Sequence, residues 1–95
     1  MSNYHEPAEE LSATTRDLTR ALHSLREEIE AIDWYQQRAD TCSNDQLKKI
    51  LEHNRDEEIE HACMALEWLR RNMKGWDKNF NRYLFTTREI TKLES

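Results

Sequence analysis

One glycine and one proline in 95 residues leave the chain few places to turn sharply. With so many Leu, Glu, Arg and Lys, that scarcity argues for long helices joined by short connections. Cysteine is nearly as scarce. Cys42 and Cys63 lie far apart with no C-x-x-C spacing. That argues against a structural zinc site or a disulfide framework and leaves two reduced thiols. No apolar run approaches the length of a membrane span, and the opening "MSNYHEPAEE" lacks the pattern of a signal peptide. A cytoplasmic protein, with no membrane partner, is the expectation. Basic excess is missing too. The formal net charge is −5, which argues against nucleic acid, since that partner needs a basic face.

What remains is 37% hydrophobic and 35% charged, in a chain long enough for one domain. A chain this small, drawn out into long helices, encloses little core of its own. Self-association is the economical route to stability. Pro7, with Glu6, Glu9 and Glu10, suits the first turn of a helix. Leu11, Leu18, Leu22, Leu25, Ile29 and Ile32 then step along one helical stripe, predicting a first helix over about 7–39. "DTCSND" breaks it. Ser43 and Gln46 have the spacing of a capping box, and Leu47, Leu51, Ala62, Ala65 and Leu69 form the stripe of a second helix over about 44–74. Gly75 is a good helix stop. Trp76, Phe80, Tyr83 and Leu84, then a second capping-box spacing at Thr86 and Glu89, predict a helical tail over about 76–93. The expected fold is all-α, a long antiparallel two-helix hairpin with a short C-terminal helical tail.

The stretch "RDEEIEH" (55–61) puts Asp56, Glu57, Glu58 and Glu60 within five positions, with His61 next. At about 100° per residue, Glu58 falls only about 20° from Leu51, in the middle of an apolar face. His61 lies about 80° off, and Glu60 points to the opposite side. On the first helix Glu28 falls about 60° from Leu25, inside the stripe, while Glu27 and Glu30 point well away. Burying an unpaired carboxylate costs several kcal/mol or forces it to take a proton. A metal ion held by Glu58-x-x-His61 is one compensation. A salt bridge to an arginine such as Arg55, or a face that meets water, is the other.

Stoichiometry sharpens the choice. Di-iron carboxylate sites in ferritin-like bundles take a Glu from each of two helices and a Glu-x-x-His from each of the other two. This chain supplies half: Glu28 from one helix, Glu58 and His61 from the other. Two copies about a two-fold axis complete both the four-helix bundle and the ligand set, and such pairing is the commonest homo-oligomer.

The runs "EEIEAIDWYQQR" and "HNRDEEIEHACMALEWLRRN", with "YLF" further on, resemble the encapsulated ferritins, small two-helix relatives of ferritin. The resemblance implies that residues 1–95 form a single ferritin-like half-bundle domain. It implies a ferroxidase centre between two subunits, holding two Fe per subunit pair on Glu28, Glu58 and His61. It further implies a dimer-built ring of ten subunits, an acidic site at Glu27 and Glu30 that admits iron, and work inside an encapsulin shell. Members carry a C-terminal targeting peptide, and none is recognisable in "ITKLES".

The expected activity is oxidation of Fe2+ to Fe3+ by O2, supplying iron for mineral storage in the encapsulin nanocompartment. Hard carboxylate ligands favour Fe3+, and imidazole is a common nitrogen ligand for iron. The alternatives are a non-catalytic metal-binding module on the same ligands and a helical protein-interaction adaptor with Glu58 neutralised by arginine. Tyr35, on the edge of the stripe, either packs or stands behind the ligands as a supporting or redox-active group. Trp34, on the back of the first helix, suggests a second buried contact or partial exposure. His23 and His53 face away from their stripes, and Trp68 and Trp76 are expected to pack.

Overall fold

The computed structural model describes residues 4–94, which are helical with no strands among them. Three α-helices follow one another: α1 (Ala13–Thr41), α2 (Asp45–Asn72) and α3 (Trp76–Tyr83). Single 3-10 turns stand before and after them, at Ala8–Glu10 and Ile90–Lys92. The architecture is a helical hairpin with a short C-terminal helix.

Local caps decide the helix ends, which differ from those that spacing predicts. The first helix starts at Ala13 rather than near Pro7, because Ser12 is extended and its side chain accepts the Thr15 amide at 3.0 Å. A serine that takes this role satisfies one of the orphan donors at a helix start, typically worth about 1 kcal/mol. Pro7 opens the preceding 3-10 turn instead, and Arg16 donates to the Ala8 carbonyl. At α2 the cap is Asn44 rather than Ser43, with its side-chain oxygen accepting the Leu47 amide at 2.9 Å. The C-terminal end departs furthest. Thr86 and Glu89 do not open a helix: Thr86 Oγ1 accepts the Arg88 amide, and Glu89 caps only the single turn at Ile90–Lys92. Phe85, at φ 60°, stands in the left-handed region that bulky side chains avoid, just past the end of α3.

Gly75 has one conformational task. Its φ of 107° makes the sharp bend between α2 and α3, and open space surrounds the position a Cβ would take. Glycine is required there by the backbone rather than by crowding.

Three residues, 42–44, join the two long helices, so α1 and α2 pack directly against each other. Leu25, Ala62 and Leu69 form the buried centre of the seam. Leu18, Ala21, Ile32, Ala65, Leu66, Met73 and Trp76 pack around it. Alanines on the seam let the two backbones approach closely. At its far end Trp76 donates from Nε1 to Met73 Sδ and tilts against Phe80 with ring centroids 5.5 Å apart.

The stripe on α1 is wider than one partner helix can cover. Leu22 is 36% exposed and Ile29 55%, and the two lie about 20° apart on the same edge. The radius of gyration, 17.2 Å, exceeds the roughly 13 Å of a compact domain this size. A single chain leaves apolar surface unused.

Candidate metal centre

Glu28 follows Leu25 by three residues on α1, so its side chain leaves the edge of the seam toward α2. Glu58 and His61 repeat the same spacing on α2. Their carboxylate oxygens and an imidazole nitrogen lie within 4.8 Å of one another, and all three side chains are half-buried. Donors that share one transition-metal ion at bonds of about 2.0–2.2 Å stand roughly 3–4 Å apart, so this cluster is close to a chelating arrangement. His61 Nδ1 is 3.6 Å from Glu58 Oε2, too long for a hydrogen bond.

Glu28 Oε2 carries the strongest chemical signal. It is buried and has no hydrogen-bond partner. A buried carboxylate oxygen with nothing to accept is costly, and a cation is the partner its charge demands. The arginine proposed to neutralise Glu58 is engaged elsewhere. Arg55 donates from Nη2 to Asp56 at 3.0 Å and from Nη1 to Gln36 at 2.8 Å.

The rest of the acid cluster is dispersed. Glu57 faces His53 at 3.5 Å, and Glu60 is exposed. Glu27 and Glu30 are exposed on α1 and are not brought to the three-residue cluster. Tyr35 is half-buried beneath the Arg38 guanidinium, 5.2 Å from its ring centroid. Trp34 is half exposed.

Acids elsewhere show what a satisfied carboxylate looks like. Hydrogen bonds from Arg70 and then Arg71 hold Glu67 down at about 2. Glu67 and Asp77 in turn raise Arg70 above its ordinary value, and Arg70 ties α2 to α3 through Asp77 at 2.8 Å. Among the described residues, Glu28 Oε2 has no such partner. The cross-hairpin contact of Arg55 with Gln36 was the feature that helix-facing angles missed, because they describe one helix at a time.

Known proteins resemble this chain over nearly all its length. The EncFtn-like family matches residues 3–87. A ferritin-like protein of Thermotoga maritima is 60% identical over 91 residues, covering 96% of this chain and 80% of its own length. An encapsulated ferritin-like protein of Rhodospirillum rubrum is 52% identical over 91 residues, with 96% of this chain and 65% of its own length covered. The crystal structure of a Nitrosomonas europaea protein superposes with a TM-score of 0.90 at 55% identity, covering 94% of this chain and 98% of that one.

Proposed function

The chain belongs to the EncFtn-like family, and on that footing we propose that it is a ferroxidase. Its substrate is Fe2+, bound as a pair between two copies of the chain by Glu28, Glu58 and His61 from each. O2 accepts the electrons, and the Fe3+ formed is passed on for mineral storage. The observation that carries this reading is the convergence of the three side chains, with Glu28 Oε2 buried and unpartnered.

The chemistry follows from the donor set. Carboxylates are hard, anionic ligands that stabilise Fe3+ over Fe2+ and so favour oxidation; the imidazole adds a nitrogen ligand, and sulfur is absent. One chain offers two carboxylates and one imidazole. A two-fold partner raises this to four and two, the complement of a ferritin-like di-iron site. The exposed edge at Leu22 and Ile29 supplies apolar surface for such a partner. Glu27 and Glu30, exposed outside the cluster, draw cations in through their charge. The dimers build a ring of ten that works within an encapsulin compartment in the cytoplasm. The Rhodospirillum relative, named as encapsulated, and the family support that setting.

The test adds Fe2+ anaerobically and then admits O2. Oxygen uptake that depends on protein, and that Glu58→Ala abolishes, is the expected result. Tight Fe2+ binding with no oxygen uptake replaces the enzyme with a metal-holding module. Absence of binding refutes the centre.

A further inference from the structure

We infer that Gln36 and Arg55 form a register pin between the two long helices and act as positioning residues for the cation site. The inference rests on the metal-binding reading of Glu28, Glu58 and His61.

Arg55 Nη1 donates to Gln36 Oε1 at 2.8 Å, reaching from α2 across to α1. Nε and Nη2 both donate to Asp56 Oδ1, at 3.1 and 3.0 Å, so the guanidinium is braced on its own helix while it reaches across. The Arg55 side chain is only 25% exposed. Among the described residues, no other side-chain hydrogen bond joins α1 to α2.

The short 42–44 connection and side-chain packing limit sliding, but the apolar contacts of the seam carry little direction of their own. Leu25, Ile32, Ala62, Ala65 and Leu69 attract one another without direction. A slide of one residue moves a helix by about 1.5 Å, enough to spoil a cluster whose ligand atoms lie within 4.8 Å. The pair lies at the rim of the seam, with Gln36 exposed and Arg55 half-buried, and its directional hydrogen bond favours one register over its neighbours. Gln36 stands about 12 Å along α1 from Glu28, and Arg55 about 4.5 Å along α2 from Glu58. The pin therefore lies between the hairpin connection and the ligands, where it holds Glu28 opposite its two counterparts.

Charge makes the test decisive. Removing a positive side chain near a cation site strengthens cation binding by Coulomb's law alone. If Arg55 acts through position, removing it weakens binding instead.

The experiment titrates the metal-free chain with Co2+, reading its visible absorption, and records metal-free thermal unfolding in parallel. Gln36→Leu and Arg55→Met should each weaken Co2+ binding by about tenfold, the scale on which groups supporting metal ligands act. The double variant should be no weaker than either single one. Gln36→Glu, which keeps an acceptor for Arg55 and adds a negative charge, should bind Co2+ at least as tightly as the parent. A parent chain that binds no Co2+ overturns the metal reading and the pin with it. A parent that binds Co2+ while Gln36→Leu and Arg55→Met bind it equally well overturns the pin alone. Variants that change only the unfolding temperature overturn the pin as well.

Discussion

Replacing Glu28 by leucine should make the metal-free protein more stable and the metal-loaded protein less so. Glu28 lies inside α1, half-buried, with Oε2 buried and unpartnered. Leaving a buried acceptor unsatisfied costs about 1–3 kcal/mol. Leucine is of similar size, suits a helix interior and has nothing to satisfy. It also removes a negative charge facing Glu58. A net gain of about 1 kcal/mol corresponds to a rise in Tm of roughly 4–8 °C for a domain of this length.

With metal present the order should invert. A ligand that binds only the folded state at 100 times its Kd adds about 2.7 kcal/mol of stability, and Glu28→Leu forfeits it. The assay is thermal unfolding followed by circular dichroism, at equal protein concentration, in chelator and in saturating Co2+. Co2+ is preferred to Fe2+ because oxidation would consume the ligand during the scan. The reasoning is refuted if Glu28→Leu lowers the metal-free Tm by several degrees while the metal-induced rise persists. Glu28 would then be a structural residue with no part in binding.

Fe2+ should shift the mass distribution toward even assemblies in native mass spectrometry under anaerobic conditions, whereas metal-bound protein that stays monomeric would exclude a shared centre. Replacing Glu27 and Glu30 together by Ala should slow iron uptake and leave Co2+ stoichiometry unchanged; lost stoichiometry would make them ligands. Glu67 is held at about 2 against an ordinary 4.5, so its contribution to stability is complete above pH 4.5 and lost as the pH falls through about 2. The parent should accordingly lose Tm relative to Glu67→Gln between pH 4.5 and 2, by a small amount that salt reduces because the group is exposed. Asn44→Ala removes the cap of α2 and should cost about 1 kcal/mol, read as a lower urea midpoint with unchanged m-value.

Much of this hairpin was legible because its signal is repeated. Leu18, Leu25 and Ile32 on one helix, and Leu51, Ala62, Ala65 and Leu69 on the other, recur at helical spacing over about four turns or more, and an error at one position is outvoted by the others. Helix ends enjoy no such redundancy. Pro7 and Ser12 both suit a helix start, and the choice fell to the one whose side chain reaches an amide, Ser12. Ser43 and Asn44 competed in the same way one residue apart. In the candidate site, angles about each helix were enough to single out Glu28, Glu58 and His61, since those angles survive folding unchanged. The partner of Arg55 was not legible. Its long side chain can reach Asp56, Glu58 or, across the seam, Gln36, and only the packed pair of helices decides among them.

The uncovered edge at Ile29 and the unpartnered oxygen of Glu28 are adjacent in sequence and express one deficit. A second copy laid against the hairpin would remove apolar surface from water at about 25 cal/mol per Å2 buried. It would also bring a second set of carboxylates toward the first, and that repulsion opposes the same association. A cation between the two sets reverses the sign of the electrostatic term while leaving the apolar term intact. Binding and assembly are therefore coupled, and linkage requires the coupling to be reciprocal. Pairing tightens cation binding by the same factor by which a bound cation tightens pairing. Ile29→Asn, which adds polarity to the uncovered edge without adding charge, offers a direct test. It should weaken dimerisation and Co2+ affinity together, while a fall in dimerisation with unchanged affinity would place the whole site within one chain.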